Sequence, residues 1–134
     1  MSADMRLLVC GGRDFADVPL LWSLLDAING RRIASHGDGI RCLIEGGQQR
    51  KREDGAIVGA DYWAHQWALA RGTPAERYFA DWKGLGRSAG PKRNRKMLIE
   101  GKPTHGLAMP GGNGTADMVA VLKDAGVPVW IIKP

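Results

Sequence analysis

Pro110-Gly111-Gly112-Asn113-Gly114-Thr115 decides the reading of this chain. The apolar run Gly106-Leu107-Ala108-Met109 precedes it. Ala116 to Lys123 follow, with Met118, Val119 and Leu122 recurring at helical spacing. The local pattern is a strand, a glycine-rich turn and a helix N-terminus. Three glycines in four positions let backbone approach a ligand closely, and the free N–H groups at the start of a helix favour an anion, phosphate above all. The alternative is a plain βα turn in which Thr115 caps the helix.

Working outward, the same pattern repeats. Arg6-Leu7-Leu8-Val9-Cys10 runs into Gly11-Gly12, and Ile40-Arg41-Cys42-Leu43-Ile44-Glu45 into Gly46-Gly47. Continuous apolar runs of this length are expected of parallel strands buried on both faces. Leu20, Leu21, Leu24, Leu25 and Ile28 mark an amphipathic helix that should close near Asn29-Gly30. Gln48 to Asp54 is wholly polar and reads as an exposed loop. A second helix opens at Gly59-Ala60-Asp61, with Asp61 as its N-cap, and carries Trp63 and Trp67 on one face. Glu76-Arg77-Tyr78-Phe79-Ala80 reads as a shorter strand, Gly84 to Gly90 as a flexible loop, and Pro91 as a residue of the next helix's first turn. Val127 to Ile132 supplies a last strand. Five strands alternating with four helices predict an α/β fold, a doubly wound parallel sheet in one domain over residues 1–134, with strand order 3-2-1-4-5. Ligands of such sheets bind at the carboxyl edge, so Arg13, Asp14, Asp81 and Trp82 join the glycines as candidate site residues.

Composition narrows the function. The formal net charge is +5, and residues 83–102 hold seven bases against one acid, Glu100. A localised basic segment suits a phosphorylated small molecule or a nucleic-acid backbone, or is a solvated helix face. No apolar run reaches the ~20 residues of a membrane span, and the first residues lack a basic leader region, so a cytoplasmic protein without membrane contact is expected. Cys10 and Cys42 have no metal-ligand spacing and read as reduced core residues, with no metal or cofactor implied. The aromatic bulk of Trp63, Trp67 and Trp130 exceeds what a small α/β domain must bury, which predicts a homo-oligomer.

Gly11-Gly12-Arg13-Asp14-Phe15, Glu45-Gly46-Gly47 with Gly59-Ala60-Asp61, Ala80-Asp81-Trp82, Ala89 to Met97 and Pro110 to Thr115, in that order, resemble the YspA-type, cpYpsA-related branch of the SLOG superfamily. The resemblance spans almost the whole chain. It implies a Rossmann-like fold of bacterial or phage origin with the PGGxGT loop at a nucleotide-derived ligand. In that reading Pro110, Gly111, Gly112, Gly114 and Thr115 hold phosphate, Arg93 and Arg13 clamp it, and Asn94, Asp14 and Asp81 meet sugar or base edges. Gly11, Gly12, Gly46, Gly47, Asp61 and Trp82 complete the site. Relatives include Lonely-Guy phosphoribohydrolases and single-strand DNA-binding DprA proteins, so a nucleotide N-glycosidase and a nucleic-acid binder stand beside a small-molecule binding module. Two departures bear on this choice. Gln48 to Ile57 intervene where family members pass almost directly into the Gly-Ala-Asp motif. Met118 stands where Lonely-Guy enzymes carry a glutamate, and a thioether cannot act as an acid, which leaves Asp14, Asp81 and Asp117 as substitute catalytic carboxylates.

Overall fold

The structure is a computed structural model that describes residues 4–134, so residues 1–3, on which the reading of the N-terminus partly rests, lie outside the described residues. Its five-stranded parallel sheet runs β5 (Ala75–Arg77), β2 (Ile40–Glu45), β1 (Met5–Cys10), β6 (His105–Ala108), β7 (Val129–Ile131). In order of the five predicted strands this is 3-2-1-4-5. Alternation along each strand sends side chains to two cores. Leu7, Val9, Leu43 and Leu107 meet α1 (Val18–His36) and α2 (Ala60–Arg71) on one face. Leu8, Cys10, Ile44 and Ala108 meet α4 (Ala89–Gly101) and α5 (Asn113–Asp124) on the other. The result is a single Rossmann-like α/β domain of three layers. Among the described residues, no helix is long and apolar enough to cross a membrane.

Several local expectations are corrected. Helix α1 does not close at Asn29-Gly30. It continues to His36 and stops at Gly37, whose φ of 84° is left-handed. Asn29 instead reaches across to accept the Ile40 amide at 2.8 Å, tying the helix to β2. The polar segment after β2 contains a two-stranded hairpin, β3 (Arg50–Lys51) with β4 (Ile57–Val58). β5 ends at Arg77, so Phe79 and Ala80 lie beyond it. The predicted loop at Gly84 to Gly90 is a short helix, α3 (Trp82–Leu85), then a 3-10 turn, then the start of α4. Asp81 nucleates it by accepting the Gly84 amide at 3.0 Å. Asp61 is not the cap of α2: Gly59 holds that position, and Asp61 is buried in the first turn. Trp67 is fully buried and donates to Asp26, while Trp63 is partly buried and donates to the Ile57 carbonyl. Of the three tryptophans behind the expected oligomer, only Trp130 leaves a large exposed face.

Candidate functional site

All four strand-end motifs gather at the carboxyl edge, because β1, β2, β5 and β6 point the same way. The turns after β1 and β6 interlock. The Gly12 amide donates to the Pro110 carbonyl at 2.9 Å and the Met109 amide to the Cys10 carbonyl at 2.8 Å. Gly111 is part of this seam: a Cβ there would lie 2.6 Å from the Gly12 nitrogen and inside contact distance of the Thr115 hydroxyl. Gly111 is therefore a close-packing glycine. Gly112 and Gly114 differ, since a Cβ on either would meet nothing within 4 Å, and neither needs a positive φ. Gly112 caps α5 without a side-chain hydrogen bond, so the cap residue leaves the first amides of that helix without a side-chain acceptor.

Two cavities lie along this edge. The larger is an open cleft of about 370 Å³ over the ends of β1, β2 and β5, between Arg13, Gly46, Gly47, Gln48, Phe79 and Trp82. Phe79 is 71% exposed and Trp82 49%. Arg13 has no ion-pair partner among the described residues. Gly47, with φ of 72°, turns the chain so closely beneath the Phe79 ring that a Cβ would stand 2.7 Å from it. Gln49, also in this wall, comes from the insertion, whose Arg50 forms an ion pair with Asp14. The insertion thus builds part of the rim.

The smaller cavity, about 20 Å³, is room for a single water. Gly11, Asp61, Arg93, Asn94, Gly114, Thr115 and Met118 line it. Arg93 is buried and turned inward: Nη1 donates to the Gly46 carbonyl at 2.6 Å and Nε to Asn94 at 3.0 Å. Burial lowers its pKa, opposed by the nearby Asp61 and Glu45 carboxylates. Asn94 in turn donates to the Gly114 carbonyl at 3.2 Å and to Asp117 at 2.9 Å, fastening α4 to α5. Burial pushes Asp61 up to about 7, against the stabilising Gln48 amide at 3.0 Å. Cys10 is pushed up to about 12, chiefly by burial, which makes it an unreactive core thiol.

The predicted site residues therefore divide. Arg13, Gly46, Gly47 and Trp82 line the cleft. Gly11, Asp61, Arg93, Asn94, Gly114 and Thr115 surround the small cavity, which shares Gln48 with the cleft. Gly12, Asp14, Pro110, Gly111, Gly112 and Asp81 line neither. The three carboxylates considered for catalysis are each engaged: Asp14 with Arg50, Asp81 in its cap, and Asp117 with Asn94 and Arg95.

One buried cluster was missed in the sequence. Glu45, fully buried at the end of β2, accepts from Arg77 Nε at 2.6 Å and from the Gly47 amide, with His65 Nδ1 3.1 Å away. A charge closing an apolar strand is the only signal the sequence offers for it.

Sheet order, helix placement and edge clefts together define a Rossmann-like α/β domain. The chain belongs to the YspA, cpYpsA-related SLOG family, whose family model matches residues 5–84, more than half of its length. That match ends before α4 and the glycine loop after β6. No curated protein and no solved structure matches the chain significantly.

Proposed function

We propose that this domain binds a phosphorylated nucleotide or nucleotide-derived small molecule across the carboxyl edge, as a sensor or ligand-binding module. The phosphate faces the amides of Asn113 and Gly114 at the start of α5, and the base lies in the cleft against Trp82 and Phe79. Adjacent strands stand ~4.8 Å apart, so the path from β6 to β2 is ~10 Å, a reach that a base, a sugar and a phosphate span. The observation that carries the reading is Arg13, a cation without an ion-pair partner among the described residues, standing in the turn after β1, the strand that lies between the two ends of that path. A binder rather than a hydrolase is favoured because Met118 is buried in the core at the position of the expected glutamate, and the candidate aspartates already have partners.

Calorimetry with nucleoside monophosphates, the matching nucleosides and inorganic phosphate tests this, together with mass spectrometry of ligands released from the purified protein. Monophosphates should bind at least tenfold more tightly than nucleosides, and Arg13→Ala should erase most of that difference. Equal affinity for nucleoside and monophosphate would refute the phosphate site. Release of free base at an ordinary enzymatic rate would favour the N-glycosidase. Binding confined to single-stranded DNA, with a steep salt dependence, would favour a nucleic-acid surface on the exposed bases of residues 83–102.

A further inference from the structure

A further concave site lies apart from the two edge cavities. Between the later turns of α1 and the β6–β7 side of the sheet runs a groove of about 370 Å³ that shares no residue with the two edge cavities. This volume is within the ~300–1,000 Å³ range of small-ligand clefts. Its walls are apolar: Leu24 and Ile28 from α1, Leu107 from β6, and Trp130 and Ile132 from β7 and just beyond it. Trp130 is held as a rigid wall by stacking on His105, with centroids 5.7 Å apart and planes 13° from parallel. Every ionisable residue along the groove is basic: Arg31, Arg32, His36 and His105. Arg32 is buried, with Asp38 3.9 Å away outside the groove lining. The His105 pKa is lowered, first by burial and then by Arg32 and His36.

We propose that this groove binds an amphiphilic organic anion, a short acyl chain carrying one carboxylate. The apolar walls take the hydrocarbon, and the exposed Arg31 guanidinium of α1 takes the head group. Charge selects this occupant over a second copy of the chain. A two-fold contact through the groove would bring two copies of this basic lining, Arg31 included, into one interface with no acidic residue of the lining to answer them.

Decanoate, decanol and decyltrimethylammonium, which share an apolar chain and differ in head-group charge, provide the test, titrated into the full chain by calorimetry. Decanoate should bind one per chain, about tenfold more tightly than decanol, with decyltrimethylammonium weaker still. Arg31 is exposed, so Arg31→Glu should weaken decanoate about tenfold or more with little change in melting temperature. Ala27→Trp, at an exposed helix position on the groove, should fill it and abolish decanoate binding while leaving nucleoside monophosphate affinity unchanged. Decanol binding as tightly as decanoate, or no decanoate binding at all, would overturn the proposal. So would a dimer in sedimentation that Ala27→Trp disrupts, since the groove would then belong to a second copy.

Discussion

Neighbouring glycines of the β6–α5 turn should respond in opposite ways to the same substitution. Gly111→Ala places a methyl 2.6 Å from the Gly12 nitrogen and 2.9 Å from Thr115 Cβ, so two backbone segments must separate. Overpacking of this kind costs ~1–3 kcal/mol. Weakening the adjacent Gly12-to-Pro110 hydrogen bond adds ~0.5–1.5 kcal/mol. At ~3–5 °C per kcal/mol for a domain of this size, the melting temperature should fall by roughly 5–20 °C. Gly112→Ala meets no atom within 4 Å, and its φ of −102° suits any residue. The ~0.4–1 kcal/mol gained by restricting the unfolded chain is offset by the poorer cap that alanine makes, so stability should barely move. Its effect should appear in binding instead, where a methyl stands in front of the α5 amides and weakens a nucleoside monophosphate about tenfold or more. Thermal melts and calorimetry on both variants check this. Unchanged affinity in Gly112→Ala would refute a phosphate at the start of α5, and an unchanged melting temperature in Gly111→Ala would refute the interlocked turns.

Arg93→Lys should lower stability of the free protein by ~1–3 kcal/mol in thermal melts, because lysine cannot serve Gly46 and Asn94 together. A guanidinium that only clamped a ligand would leave the free protein's stability alone; the inward turn of Arg93 onto Gly46 and Asn94 is what ties it to the fold. Asp61, at about 7 in the folded chain against 3.8 unfolded, keeps in the native state a proton that the unfolded state loses. Stability should therefore fall as pH rises from about 4 to about 7 and stay lost above that, by up to about 3 kcal/mol between pH 5 and pH 8. Asp61→Asn should flatten this dependence in melts across that range, and an unaltered slope would assign it elsewhere. Met118→Glu would bury a carboxylate in the α4–α5 core, so the melting temperature should drop by several degrees, and a melt matching the parent would show that the side chain escapes to solvent.

The sheet was legible because its central strands are mostly apolar runs that lead into paired glycines, a pattern that burial on both faces favours. What the sequence hid was decided by partners distant along the chain. Asn29 and Gly30 look like a helix stop, yet Asn29 finds the Ile40 amide and Gly30 sits on an exposed helix face with nothing near it. The glycines at 84, 86 and 90 look like a loop, yet Asp81 caps a helix there and Trp82 lies against Gly90. Arg93 and Arg13 read alike as phosphate ligands, and only the fold distinguishes an arginine bound to Gly46 from one facing an open cleft. Local sequence sets which residues are basic; tertiary packing sets which of them are already occupied.

That division also explains how the inserted segment is accommodated. Its base is anchored from three directions: the Gln48 amide on Asp61, the Gly59 amide on the Phe15 carbonyl at 2.8 Å, and Arg50 on Asp14. Its tip is exposed, with Arg52 held by Asp54 and the chain turning at Gly55. A change in the tip alters neither the Glu45–Arg77 pair nor the interlocked turns, because both lie beneath those anchors. A change at Gln48 or Gln49 alters the cleft wall directly. The two glutamines are therefore the positions through which this segment shapes the cleft wall, Gln48 while also holding Asp61.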